Sequence, residues 1–106
     1  IGVYGIKRKG SNYMSHLQEH QTKNLLTRIN RIEGQVKGIR KMILEEKEYD
    51  QVMIQINSTR SALQKVSQIL LEAQSDHSLM HVSEGYDLEQ EMRRLREVIN
   101  QYNKMV

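Results

Sequence analysis

Six aliphatic residues in the first half of the chain, Leu25, Ile29, Ile32, Val36, Ile39 and Ile43, recur at spacings of 4, 3, 4, 3 and 4. A helix places residues at those intervals on one side, so the stretch predicts a long helix with one continuous apolar seam. No proline interrupts it or any other part of the chain, which removes the commonest reason for a helix to stop. Arg28, Arg31, Lys37, Arg40 and Lys41 surround the seam, opposed within the stretch only by Glu33. At roughly 100° per residue, Arg28 and Arg31 fall on one flank and Lys37 and Lys41 on the other. One helix therefore offers an association surface and a cationic surface together.

This first helix is expected to begin between Ser15 and Thr22, with Ser15 and Gln18 at capping-box spacing, and to run to about Glu46. Inside it, Gly34 and Gly38 each cost roughly 0.5–1 kcal/mol relative to alanine. A glycine ridge at i, i+4 is expected to admit the close approach of a partner helix. The acidic group Glu45, Glu46, Glu48 and Asp50 marks a turn, and a second helix is expected from about Tyr49 to His81. Val52, Ile56, Leu63, Val66 and Leu70 continue the heptad there, with Thr59 the polar exception, while Met53, Ile69 and Leu71 widen the stripe. Ser83 to Asp87, with Gly85 suited to a positive φ, is the next break. A third helix from about Leu88 to Lys104 has Leu88, Met92, Leu95, Ile99 and Tyr102 on one face. Nothing alternates with period two, so no strand is expected.

The expected fold is all-α, a long antiparallel helical hairpin plus a shorter C-terminal helix, with residues 15–106 as a single domain in which the apolar seam serves association and the flanking cations an anionic partner. Residues 1–14 contain Lys7-Arg8-Lys9 and no acidic residue, and read as a flexible basic arm. That arm is either a tail that touches DNA or an extension ahead of a natural start at Met14-Ser15-His16. With 38% hydrophobic residues, five Tyr and no Trp or Phe, three helices alone would have a thin core. A domain of this size buries only around two-thirds of its unfolded surface, so association into at least a dimer is expected.

Charge is unevenly spread. Residues 1–41 carry nine Lys or Arg against two Glu, a balance of +7, whereas the remainder carries seven basic against eleven acidic residues, −4. A basic first half points to a polyanion partner, nucleic acid being the commonest, with an ordinary solvated surface as the alternative. Arg60 and Lys65 on the second helix extend the cationic set of Arg28, Arg31, Lys37, Arg40 and Lys41. No helix-turn-helix spacing occurs, so DNA contact through these residues would be mostly backbone and shape readout. There is no cysteine, hence no disulfide and no thiolate. No apolar run approaches the ~20 residues of a membrane span, and a cytoplasmic protein is the default expectation.

Catalysis is poorly supported: there is no Cys nucleophile, no phosphate-cradling glycine loop and no His-Glu-x-x-His motif. The four histidines form two i, i+4 pairs, His16 with His20 and His77 with His81. That spacing puts both imidazoles of a pair on one helix face, as a bidentate metal site requires. A competent site needs the N-terminal pair, or a carboxylate such as Asp76, brought in from another helix or subunit, and solvated histidines near helix ends are the plainer reading.

The run RINRIEGQVKGIRKMILEE, followed by QINSTRSALQKVSQILLE, closely resembles the bacterial CsoR/RcnR-type metal- and stress-sensing repressors. The resemblance covers about residues 18–82. It implies an all-helical protomer, a dimer of antiparallel hairpins, a tetramer made by pairing dimers, and operator binding relieved by an effector. It also implies DNA contacts by Arg28 and Arg31. The family's first metal ligand, a Cys at the start of helix 2, aligns with Tyr49, and the paired ligands late in helix 2 align with Gln74 and Ser78.

Tyr, Gln and Ser offer neither the thiolate that binds Cu(I) nor a thiol that reacts with formaldehyde or persulfide. By the family pattern no metal ligand set is left, so neither copper nor a resident cofactor is expected. Three readings follow. A small non-metal effector binds through Tyr49, Gln74, Ser78 and His77; or sensing has been lost, leaving a constitutive DNA-binding scaffold; or a weak divalent site for Ni, Co or Zn has moved to His77 and His81, assisted by His16 or His20. A helical scaffold for an acidic protein or a small ligand, with no role on DNA, is the reading from another class.

Overall fold

The structure, a computed structural model, describes residues 19–105. Three helices follow one another, α1 (Glu19–Leu44), α2 (Tyr49–Ser83) and α3 (Leu88–Asn103), with no strand among the described residues. The expected all-α hairpin with a shorter third helix is therefore the observed one. The basic arm, the Ser15–Gln18 capping box and His16 lie outside the described residues.

Both turns close in the same way. At the end of α1 the Lys47 N–H donates to Met42 O at 3.0 Å and the Glu46 N–H to Ile43 O at 3.1 Å. At the end of α2 the Tyr86 N–H donates to His81 O at 2.9 Å and the Gly85 N–H to Val82 O at 3.1 Å. This crossed pair is a Schellman ending, which satisfies carbonyls that have run out of helical partners and needs a left-handed residue at its centre. Gly85 takes that place at φ 95° without strain, whereas the first turn puts Glu46 there at φ 56°. The glycine was readable as a helix stop. Nothing in Glu46 marks it as the left-handed residue.

α2 is the central element, packed by α1 on one side and α3 on the other, while α1 and α3 do not meet. The core is small: Leu25 and Ile32 from α1, Val66 and Ile69 from α2, with Ile29 and Ala62 packed against them. The seam of α1 is thus buried only in its first half. Val36 remains 53% exposed and Ile43 60%, and on the facing half of α2 Met53, Ile54, Ile56 and Leu63 are exposed as well. The 16 residues of α3 reach back along only part of the 35-residue α2, so the half of α2 nearest the first turn has no third layer on its other side either. A radius of gyration of 18.0 Å records the same fact, since a compact chain of this length has about 13 Å. Thr59, the polar exception in the heptad, is buried and donates its Oγ1–H to Gln55 O at 2.8 Å.

The close approach expected at Gly34 and Gly38 does not occur among the described residues. A Cβ built on either residue would meet nothing within 4 Å. No helix among the described residues is long and apolar enough to cross a membrane.

Candidate functional site

The Schellman turn at Gly85 reverses the chain and carries α3 back along the end of α2. This sets the first turn of α3 beside the last turns of α2. His77 and His81, one helical turn apart, share a face there, and their rings lie 3.9 Å apart at 53°. Glu91 faces them from α3: its Oε2 is 3.2 Å from His81 Nδ1. All three residues are buried, at 3%, 2% and 1% exposure for His77, His81 and Glu91. Tyr86, carried by the turn itself, stacks on the His81 ring at 4.1 Å and 10°. Arg94, one turn along α3, brings Nη1 to 3.5 Å from the same Glu91 Oε2.

One ligand-competent atom from each of His77, His81 and Glu91 lies within 4.8 Å of the other two. Glu91 Oε1 is also buried and accepts no hydrogen bond among the described residues. A buried polar atom left in that condition costs about 1–3 kcal/mol, so the arrangement calls for a compensating interaction. Two imidazoles and a carboxylate are a donor set that borderline divalent transition metals accept.

Sequence reasoning found the histidine pair and missed the carboxylate, proposing a partner such as Asp76, which is exposed on α2. A signal for Glu91 existed. It stands four residues before Leu95 and eight before Ile99, both half-buried, so an acidic residue occupies the inward register of α3.

The other expected pocket residues are dispersed within one protomer. Ser78 is buried and Gln74 half-buried, with Gln74 Nε2 donating to Ser78 Oγ at 3.0 Å. Tyr49 is 90% exposed at the opposite end of α2, about 37 Å away at 1.5 Å rise per residue. A single chain therefore does not bring Tyr49 to Gln74, Ser78 and His77. Each end has its own open cleft: one of about 670 Å³ lined by Ile43, Tyr49, Val52 and Met53, and one of about 380 Å³ lined by Gln74, Gln90, Arg93, Arg94 and Glu97.

The cationic residues stand mostly in solvent. Arg31, Lys37, Arg40, Lys41, Arg60 and Lys65 are exposed, and Arg28 is half-buried with its Nε–H donated to Asn24 Oδ1 at 3.2 Å. Lys41 has Glu45 at 3.9 Å, and Arg60 Nη2 lies 3.5 Å from Met105 O. Arg28 and Arg31 remain on the opposite flank of α1 from Lys37 and Lys41, so one protomer presents two basic rows with the half-covered seam between them.

Residues 21–104 match the family model described as metal-sensitive transcriptional repressor. The copper-sensing transcriptional repressor RicR of Mycobacterium tuberculosis is 39% identical over 72 residues, 67% of this chain and 75% of the relative. The copper-sensing repressor CsoR from Geobacillus thermodenitrificans, solved with Cu(I), superposes with a TM-score of 0.75 at 33% identity, over 82% of this chain and 91% of that one. The nickel-responsive transcriptional regulator InrS superposes with a TM-score of 0.71 at 25% identity, over 82% of this chain and 94% of that one. With the match running through all three helices, the chain belongs to the CsoR-type family of metal-sensitive transcriptional repressors, a family of regulators rather than enzymes.

Proposed function

We propose that this protein is a cytoplasmic repressor that binds double-stranded operator DNA as a homodimer or homotetramer and releases it on binding an effector other than Cu(I). The observation that carries the reading is the pair of exposed basic rows flanking an apolar seam that the protomer leaves half uncovered. Pairing two copies through the uncovered end would supply the missing layer and repeat Arg28, Arg31, Lys37, Arg40 and Lys41, with Arg60 and Lys65, along one duplex. Phosphate neutralised at that many positions releases counterions and makes affinity steeply salt-dependent. Cysteine is absent, so the soft thiolate that suits Cu(I) is missing.

Two effectors fit the local chemistry. A small polar molecule would use the hydrogen-bonding groups of Gln74 and Ser78 with His77, and would draw on Tyr49 only from a second copy. A divalent cation would use His77 and His81, and the burial of Glu91 against that pair favours this second reading.

Gel-shift titration of the upstream region of the protein's own gene, at several salt concentrations, tests the DNA reading. Binding that weakens steeply with salt is expected, and Arg31→Ala should weaken it across sequences and reduce the log–log salt slope by about 1. Absence of binding at low salt, or binding indifferent to salt, would refute operator recognition through these rows and leave the scaffold reading.

A further inference from the structure

We infer that His77 and His81 of α2 and Glu91 of α3 form a divalent transition-metal site, three residues further along α2 than the positions at which the family resemblance places the metal ligands. The geometry supports this without reference to DNA. Its use as the repressor's signal rests on the operator-binding reading above.

Four observations converge. The imidazoles are at i, i+4 on one face, and a carboxylate from a different helix closes the third side, so the site exists only when α3 is docked. The ligand atoms already lie within 4.8 Å of one another. Ligands about 2.1 Å from a tetrahedral metal are about 3.4 Å apart, so the widest pair has to contract by no more than about 1.4 Å. Glu91 spends Oε2 on His81 and Arg94, while Oε1 is buried and accepts nothing among the described residues. A carboxylate serving only to tie two helices would have no use for a second buried oxygen in that condition. Finally, Tyr86 stacked on His81 fixes the plane of that ring, the orienting role that groups around a metal site commonly play.

The donor set selects the metal. Two nitrogen ligands and one oxygen suit Zn(II), Ni(II) or Co(II); Cu(I) prefers sulfur, and Mg(II) or Ca(II) asks for oxygen alone. Three ligands also leave coordination open to water or to a group that a second copy supplies. Because Glu91 Oε2 is also the atom that joins α3 to His81 of α2, a metal that draws on the carboxylate acts directly on the α2–α3 contact. Occupancy is thereby felt in the position of α3.

The test uses the full chain, titrated with ZnCl2, NiCl2 and CoCl2 against a chromophoric chelator and without DNA. One equivalent per chain of at least one of these ions is expected, with affinity reduced at least tenfold in both His77→Ala and Glu91→Gln. Glu91→Gln conserves volume and can still accept the His81 hydrogen bond, and circular dichroism of each variant confirms that the helices persist. Co(II) adds a second measurement, since its visible absorption in the wild-type protein should change in Glu91→Gln. No binding of any of the three ions would overturn the site, as would binding unchanged in both folded variants or lost only in His16→Ala and His20→Ala. Metal binding with no gel shift on any DNA would leave the site standing and refute the operator reading instead.

Discussion

His81 Nδ1 and Glu91 Oε2, ten residues apart in sequence and 3.2 Å apart in space, join the last turn of α2 to the first turn of α3 with both side chains almost wholly excluded from solvent. The Gly85 turn makes the pairing available. The inward register of Glu91 on α3 fixes it.

Removing the carboxylate should therefore be felt in stability even without metal. Glu91→Ala leaves a buried imidazole nitrogen without its acceptor and is expected to cost about 1–3 kcal/mol. Glu91→Gln, which keeps an acceptor at the same reach, should cost less. Urea unfolding of the two variants beside the wild type measures both, and equal losses would show that charge rather than hydrogen bonding holds the clasp.

The two halves of the α1 seam should respond differently to substitution. Ile32 is in the small core, and Ile32→Ala is expected to cost about 2–4 kcal/mol. Val36 is half exposed in the protomer, so Val36→Asp should leave the hairpin helical. If the uncovered end is the contact between copies, this substitution shifts the sedimentation profile to lower mass. A folded variant of unchanged mass would locate association elsewhere.

Gly34 reports on the same question from the backbone. Nothing lies where its Cβ would go, so within the protomer Gly34→Ala should stabilise α1 by about 0.5–1 kcal/mol. Thermal unfolding at low protein concentration reads this directly. A loss of stability that deepens at higher concentration would instead place the glycine against the helix of a second copy.

Much of the fold was legible because its causes are local. Heptad spacing, the absence of proline and the glycine at position 85 each act within a few residues, and they gave the three helices with ends displaced by no more than two residues where both ends are described. The site was legible only in part. The histidine pair is a within-helix pattern, whereas its carboxylate comes from the next helix across a turn, and no spacing rule in the chain joins them. Tyr49 illustrates the converse. Its association with Gln74 and Ser78 followed from the resemblance, yet all three stand on one uninterrupted helix that keeps its two ends apart.

The sequence by itself determined which residues are helical, which sides of those helices are apolar and where the positive charge lies, since these depend on periodicity along a single backbone. Only the tertiary structure decided that the seam is buried in its first half and uncovered in its second, because that depends on which side chains of α2 pack against it along the hairpin. It likewise decided that Glu91, one acidic residue among thirteen, is the one enclosed with His77 and His81. Burial of a charge is set by what the rest of the fold places around it, and a linear pattern carries no direct record of that.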